Sequence, residues 1–128
     1  MKRTGIVLMS LMLGGGAGSA LAEEGHSSGP EDSGLTAKEI VQEGIPDKGV
    51  AACQSCHGET GESPVPMYPH LAGQYESYLS HSLRGYRDGR RDEATMKQQA
   101  KNLTDREIDA LASYFSSQQD SLDVPGND

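Results

Sequence analysis

Tryptophan is absent from this 128-residue chain, Phe115 is its only phenylalanine, and cysteine occurs only at Cys53 and Cys56. Hydrophobic residues make up 34% of the chain, and many of them lie in its first 22 positions. A domain of about a hundred residues normally buries roughly two-thirds of its surface. So little apolar side chain implies that something other than side chains completes the core. Long hydrophobic runs are missing too. Ile6 to Leu13 is the longest candidate, well short of the roughly 20 residues a spanning helix needs, and no later stretch could cross a membrane. Positive charge is scarce, with 11 Lys and Arg against 19 Asp and Glu. That balance argues against nucleic acid and anionic lipid as partners and permits docking to a basic protein surface.

The short apolar run does have a reading. Met1-Lys2-Arg3 is a basic start, and Ala20-Leu21-Ala22 is a small-x-small cleavage pattern ahead of Glu23. Together these predict a signal peptide over 1–22, removed after Ala22, and hence an exported protein. Removal would leave 9 basic and 19 acidic residues, a net charge of about −10. Residues 23–34, EEGHSSGPEDSG, carry only polar, charged, Gly and Pro side chains and predict a flexible leader. The main domain is expected over 35–118, followed by a polar tail over 119–128.

Within the domain the periodicity is helical. Thr36 with Glu39 forms a capping box ahead of Ile40 and Val41, and Gly44 ends that helix. Val50 to Cys53 reads as a restarted helical turn, and Gly58 to Gly73 as a Gly- and Pro-rich loop. Tyr75, Tyr78, Leu79, Ser82, Leu83 and Tyr86 form an apolar stripe at helical spacing. Arg90 to Asn102 reads as a polar loop. A second capping box, Thr104 with Glu107, opens a last helix whose inner face is Ile108, Leu111, Ala112 and Phe115. No alternating strand pattern occurs. The prediction is an all-α domain of three to four short helices.

Both cysteines lie in Cys53-Gln54-Ser55-Cys56-His57. Zinc would need two more ligands, and there is no second CxxC and no closely spaced His pair. A redox-active CxxC of the thioredoxin type follows a strand in a βαβ unit, which this sequence lacks. A structural disulfide closing so small a loop would constrain little chain entropy. Covalent attachment of a c-type haem accounts for more. Each thiol adds to a porphyrin vinyl group, and the following imidazole is carried beneath the iron.

The stretches GVAACQSCHGETGESP, MYPHLAGQ, YLSHSLRGYRDGRRDEATM and LTDREIDALASYFSSQ, in that order, resemble a small bacterial class I c-type cytochrome. The likeness is to the group that includes the cytochrome c-four, c-five and c-553 types. It covers about Gly44 to Ser117 and implies a few helices around one covalent haem c, serving one-electron transfer rather than catalysis. By that resemblance Cys53 and Cys56 hold the haem and His57 is the proximal iron ligand. The carbonyl of Pro69 would take the other imidazole N–H, with Pro66 the competing candidate, and Leu71 would pack on the haem. Met96 is the expected distal ligand, with Met67 the other methionine after the leader and His70 and His81 the rival ligands. Arg91 is a candidate partner for a haem propionate. Glu93 stands where the relatives often carry Asn. Partners would be redox proteins: a membrane cytochrome complex, an oxidase or a dehydrogenase. A cytochrome subunit of such a complex is the alternative, and an open-iron gas sensor or enzyme the reading if Met96 is not a ligand.

Overall fold

The computed structural model describes residues 30–118. The predicted signal peptide, most of the leader and the polar tail lie outside the described residues. Five α-helical segments follow one another: α1 (Ala37–Glu43), α2 (Gln54–His57), α3 (Glu76–Arg87), α4 (Ala94–Ala100) and α5 (Asp105–Ser116), with a 3-10 turn at Pro46–Lys48.

The capping box at α1 forms as the sequence predicts. Thr36 Oγ1 accepts from the Glu39 amide at 3.3 Å, and the Glu39 carboxylate accepts from the Thr36 amide at 2.7 Å. The helix buries Ile40 and Val41 completely, each worth roughly 1.5–3 kcal/mol against exposure. It stops at Gly44, whose φ of 75° is left-handed and where a Cβ would sit 2.3 Å from the Val50 carbonyl oxygen. Only glycine fits there.

Val50 does not restart a helix. It pairs with Ile45 in an isolated antiparallel bridge, with hydrogen bonds of 2.8 and 3.1 Å. Folding back on Ile45 buries both side chains, which a continuous helix through Val50 would not do. The helical turn begins later, at Cys53, which is the N-cap residue of α2.

The predicted loop over Arg90 to Asn102 contains α4 instead. Its sequence, ATMKQQA, has no apolar stripe, so periodicity could not reveal it. Glu93 supplies the helix start, accepting from the amides of Thr95 and Met96. The stripe predicted on α3 is also narrower than expected. Leu79, Ser82 and Gly85 are its buried residues, whereas Tyr75 is 81% and Tyr78 50% exposed. Tyr75 precedes the first helical residue, and so lies off the inward face.

Helix α5 packs against α1 and α3, and α4 against α3. Ile40, Val41, Ile45, Val50, Leu79, Leu103, Ile108, Leu111 and Phe115 form the core. Glu107 is buried within this frame, only 2% exposed. Its carboxylate accepts from Lys48 Nζ at 2.7 and 2.8 Å, from the Ser33 amide at 2.8 Å and from the Thr104 amide at 2.9 Å. The last of these completes the predicted second capping box. Burial alone would raise the Glu107 pKa. The Lys48 ammonium and the two amides outweigh it and hold the group down at about 2.

Candidate functional site

The single turn of α2 sets Cys53 and Cys56 one turn apart, both as free thiols, and ends on His57, which is 7% exposed. Gly58 caps it at φ 80°, where a Cβ would meet the Glu62 carbonyl oxygen at 2.3 Å. The chain therefore doubles back tightly beneath the imidazole. The loop that follows is closed by the Gly61 carbonyl, which accepts from Leu71 N at 2.8 Å and Ala72 N at 3.3 Å.

That closure returns Pro69 to His57. The Pro69 carbonyl oxygen lies 3.0 Å from His57 Nδ1. A carbonyl can only accept, so Nδ1 is the donor, and in the neutral ring Nε2 keeps the lone pair. Tyr68 packs edge-on against the ring, with centroids 6.0 Å apart. Pro66 makes no such contact among the described hydrogen bonds, and His70 Nδ1 accepts from the Ser63 amide at 3.2 Å.

A cavity of about 480 Å³ opens beside α2. Cys53, Cys56, His57, Leu71, Met96 and Arg91 all border it, as do Met67 and His70; His81 does not. Met96 is half-buried on α4, whereas Met67 is 79% exposed. Leu71 also packs against the core.

Arg91 sits at the cavity wall with its guanidinium 4.9 Å from the Tyr86 ring centroid and 5.9 Å from that of Tyr78. Its Nη1 donates to Ser82 Oγ at 2.6 Å. The hydrogen bond and charge of Arg91 draw the Tyr78 phenol below its usual pKa. Glu93 is likewise held below the carboxylate range by the Met96 amide first and the Thr95 amide second.

Some residues that shape the site escaped sequence reasoning. Ser82 counted there as part of an apolar stripe but is the partner of Arg91. Gln99 accepts from the Ala51 amide at 2.7 Å and so ties α4 to the segment leading into the cysteines. Nothing in the pattern around Gln99 signals that role, because a single glutamine on a polar helix carries no periodic mark.

The thiols also speak to the alternatives. Burial pushes Cys53 up to about 11, the reverse of the depressed thiol that disulfide oxidoreductases use. Among the described residues no group of three or more His, Cys, Asp or Glu is arranged to hold a metal ion. Two free thiols, an imidazole with Nε2 free and a thioether, sharing one cavity lined mainly by carbon, do fit a covalently attached haem. These features define a small helical domain suited to carry one covalently attached haem.

The chain belongs to the cytochrome c family, whose model matches residues 37–119, and its cofactor is covalently bound haem c. Cytochrome c-554(548) of Halomonas halodenitrificans is 41% identical over 73 residues, covering 55% of this chain and 88% of that protein. A thiosulfate dehydrogenase electron acceptor of Thiomonas intermedia is 45% identical over 67 residues, covering 52% of this chain and 31% of its own. The solved cytochrome c4 of Acidithiobacillus ferrooxidans superposes with a TM-score of 0.60 at 34% identity, covering 63% of this chain and 47% of that one. The chain therefore spans most of the first relative but less than half of the other two. The small cytochrome c fold and its c4-like grouping stand on these likenesses.

Proposed function

We propose that this chain is an exported, periplasmic monohaem electron carrier whose iron is held by His57 and Met96, with Cys53 and Cys56 as the thioether anchors. The organisation that goes with it is a signal peptide over 1–22, a leader over 23–34, the haem domain over 35–118 and a tail over 119–128. One observation carries the reading: the imidazole of His57 is fixed by the Pro69 carbonyl at 3.0 Å, beside a cavity that both thiols and Met96 also border. A haem bound there supplies a reversible one-electron change at iron.

The side chains do the rest. The Pro69 carbonyl fixes the His57 tautomer and raises the basicity of Nε2. The Met96 sulfur is a soft donor that favours the ferrous state and so raises the reduction potential. With His57 and Met96 both holding the iron of a bound haem, no position would remain open to substrate, and the site would act as a relay. Leu71 and its apolar neighbours keep water away, and Arg91, stacked on Tyr86, faces the cavity as a partner for a propionate.

Intact mass of the protein recovered from the periplasmic and membrane fractions of whole cells tests export and attachment together. A chain beginning at Glu23 and carrying one haem is expected. A chain retaining Met1 to Ala22 refutes release from the membrane, and one without haem refutes attachment at Cys53 and Cys56.

A second reading is favoured by the thiosulfate dehydrogenase electron acceptor of Thiomonas intermedia. Here the chain serves a dehydrogenase, as its acceptor or as a bound subunit. Recovery in a stable complex with a second protein supports the subunit form; recovery as a free monomer supports the carrier.

A further inference from the structure

The geometry points to Glu93 as the positioning residue for Met96. This inference rests on the ligation reading above and concerns how firmly the methionine stays on the iron.

Helix α4 has seven residues and no apolar stripe, and a helix so short does not persist by its own propensity. Its order comes from a few ties. Ala100 is buried, Gln99 accepts from the Ala51 amide, Lys97 pairs with Asp92 at 3.1 Å, and Glu93 caps the N-terminus. The cap is two-pronged. One carboxylate oxygen takes the Met96 amide at 2.7 Å and the other the Thr95 amide at 3.1 Å, while the Glu93 carbonyl takes the Lys97 amide at 2.9 Å. Two of the four amides left without partners at a helix start, those of Thr95 and Met96, are thus held by one side chain, and the Lys97 bond is the first of the helix itself.

The shorter of the two carboxylate bonds falls on the amide of Met96 itself. Releasing the carboxylate frees the first turn of α4, and the thioether travels with that turn. Glu93 also borders the cavity, so its hold acts directly at the wall from which Met96 projects. Glutamate is outside the usual set of N-cap residues, Ser, Thr, Asp and Asn. Its longer side chain is what allows both oxygens to engage here. The carboxylate therefore sets how often the methionine leaves the iron and lets another ligand in.

The test is the rate at which imidazole binds the ferric holoprotein, read with the far-red methionine–iron absorption band, in wild type and in Glu93→Ala, Glu93→Gln and Glu93→Asp. The wild-type band must be present for the ligation reading to stand. Given it, Glu93→Ala should bind imidazole about fivefold faster, the population change that loss of a helix cap produces. Glu93→Gln and Glu93→Asp, each keeping an acceptor for one of the two amides, should both fall between wild type and Glu93→Ala. Thr104→Ala is the control. It removes the cap of α5 and lowers stability without speeding imidazole. The proposal is overturned if the far-red band is present and Glu93→Ala and Glu93→Gln bind imidazole at the wild-type rate, or if Thr104→Ala accelerates binding as much. A wild type without the band overturns the ligation reading, and this inference with it.

Discussion

Replacing Glu107 by glutamine removes one charge from the interior and leaves nearly the same shape. The native carboxylate is 2% exposed and bound to Lys48, whose side chain is 13% exposed. Its pKa falls from 4.5 to about 2, and at about 1.4 kcal/mol per unit that shift is worth roughly 3 kcal/mol of folding stability. Glutamine keeps an acceptor for only one of the Ser33 and Thr104 amides, which meet different carboxylate oxygens, while water screens the Lys48 end of the pair. The expected loss near neutral pH is therefore about 2 kcal/mol. The pH dependence is the sharper signature. A carboxylate whose pKa is depressed in the folded state stabilises fully above its unfolded value of 4.5, and the gain is lost as pH falls from there through about 2. Urea titration of the holoprotein, followed by far-ultraviolet circular dichroism, should thus show wild type and Glu107→Gln converging as the pH drops through that window. Other carboxylates titrate alike in both proteins and cancel in the difference. A loss below about 0.5 kcal/mol at neutral pH, the range of an exposed pair, would refute the reasoning, as would a loss of equal size at the acid end.

Gly44→Ala forces a Cβ to 2.3 Å from the Val50 carbonyl at a left-handed φ and should cost about 2 kcal/mol or more; a thermal midpoint within a degree or two of wild type would contradict it. Met96→Ala should abolish the far-red band of the ferric protein and lower the reduction potential, while Met67→Leu should leave both in place; the reverse pattern would transfer the distal role to Met67. Association with a redox partner presenting a basic patch should slow as salt is added, because the chain's net charge is −8 and screening shortens its reach. Stopped-flow rates independent of ionic strength would remove charge steering from the account.

Strong local signals in the sequence survive in the fold. Thr36 with Glu39 and Thr104 with Glu107 form the boxes their spacing predicts, and Ile108, Leu111, Ala112 and Phe115 form the buried face of α5. What failed was structure without periodicity. Helix α4 is held by a cap and by long-range ties rather than an apolar stripe, and Val50 answers to a partner five residues back. At the site, the cysteines and His57 could be found from a local motif. That the Pro69 carbonyl, and not that of Pro66, reaches His57 depends on closure of the loop at Gly61, which no local pattern encodes. The second role of Glu107, as the buried partner of Lys48 and Ser33, was hidden for the same reason: those residues lie 59 and 74 positions away.

The central claim is a closed His57–Met96 iron site on a haem anchored by Cys53 and Cys56. The absorption spectrum of the protein matured in cells able to attach c-type haem, taken oxidised and then reduced, tests it most directly. Sharp low-spin bands on reduction, with the weak far-red methionine–iron band in the oxidised protein, are the predicted result. A high-spin spectrum would open the iron and turn the function toward a sensor or enzyme, and low-spin bands without the far-red feature would put another ligand, with His70 at the cavity first in line, in place of Met96. Either result would contradict the account.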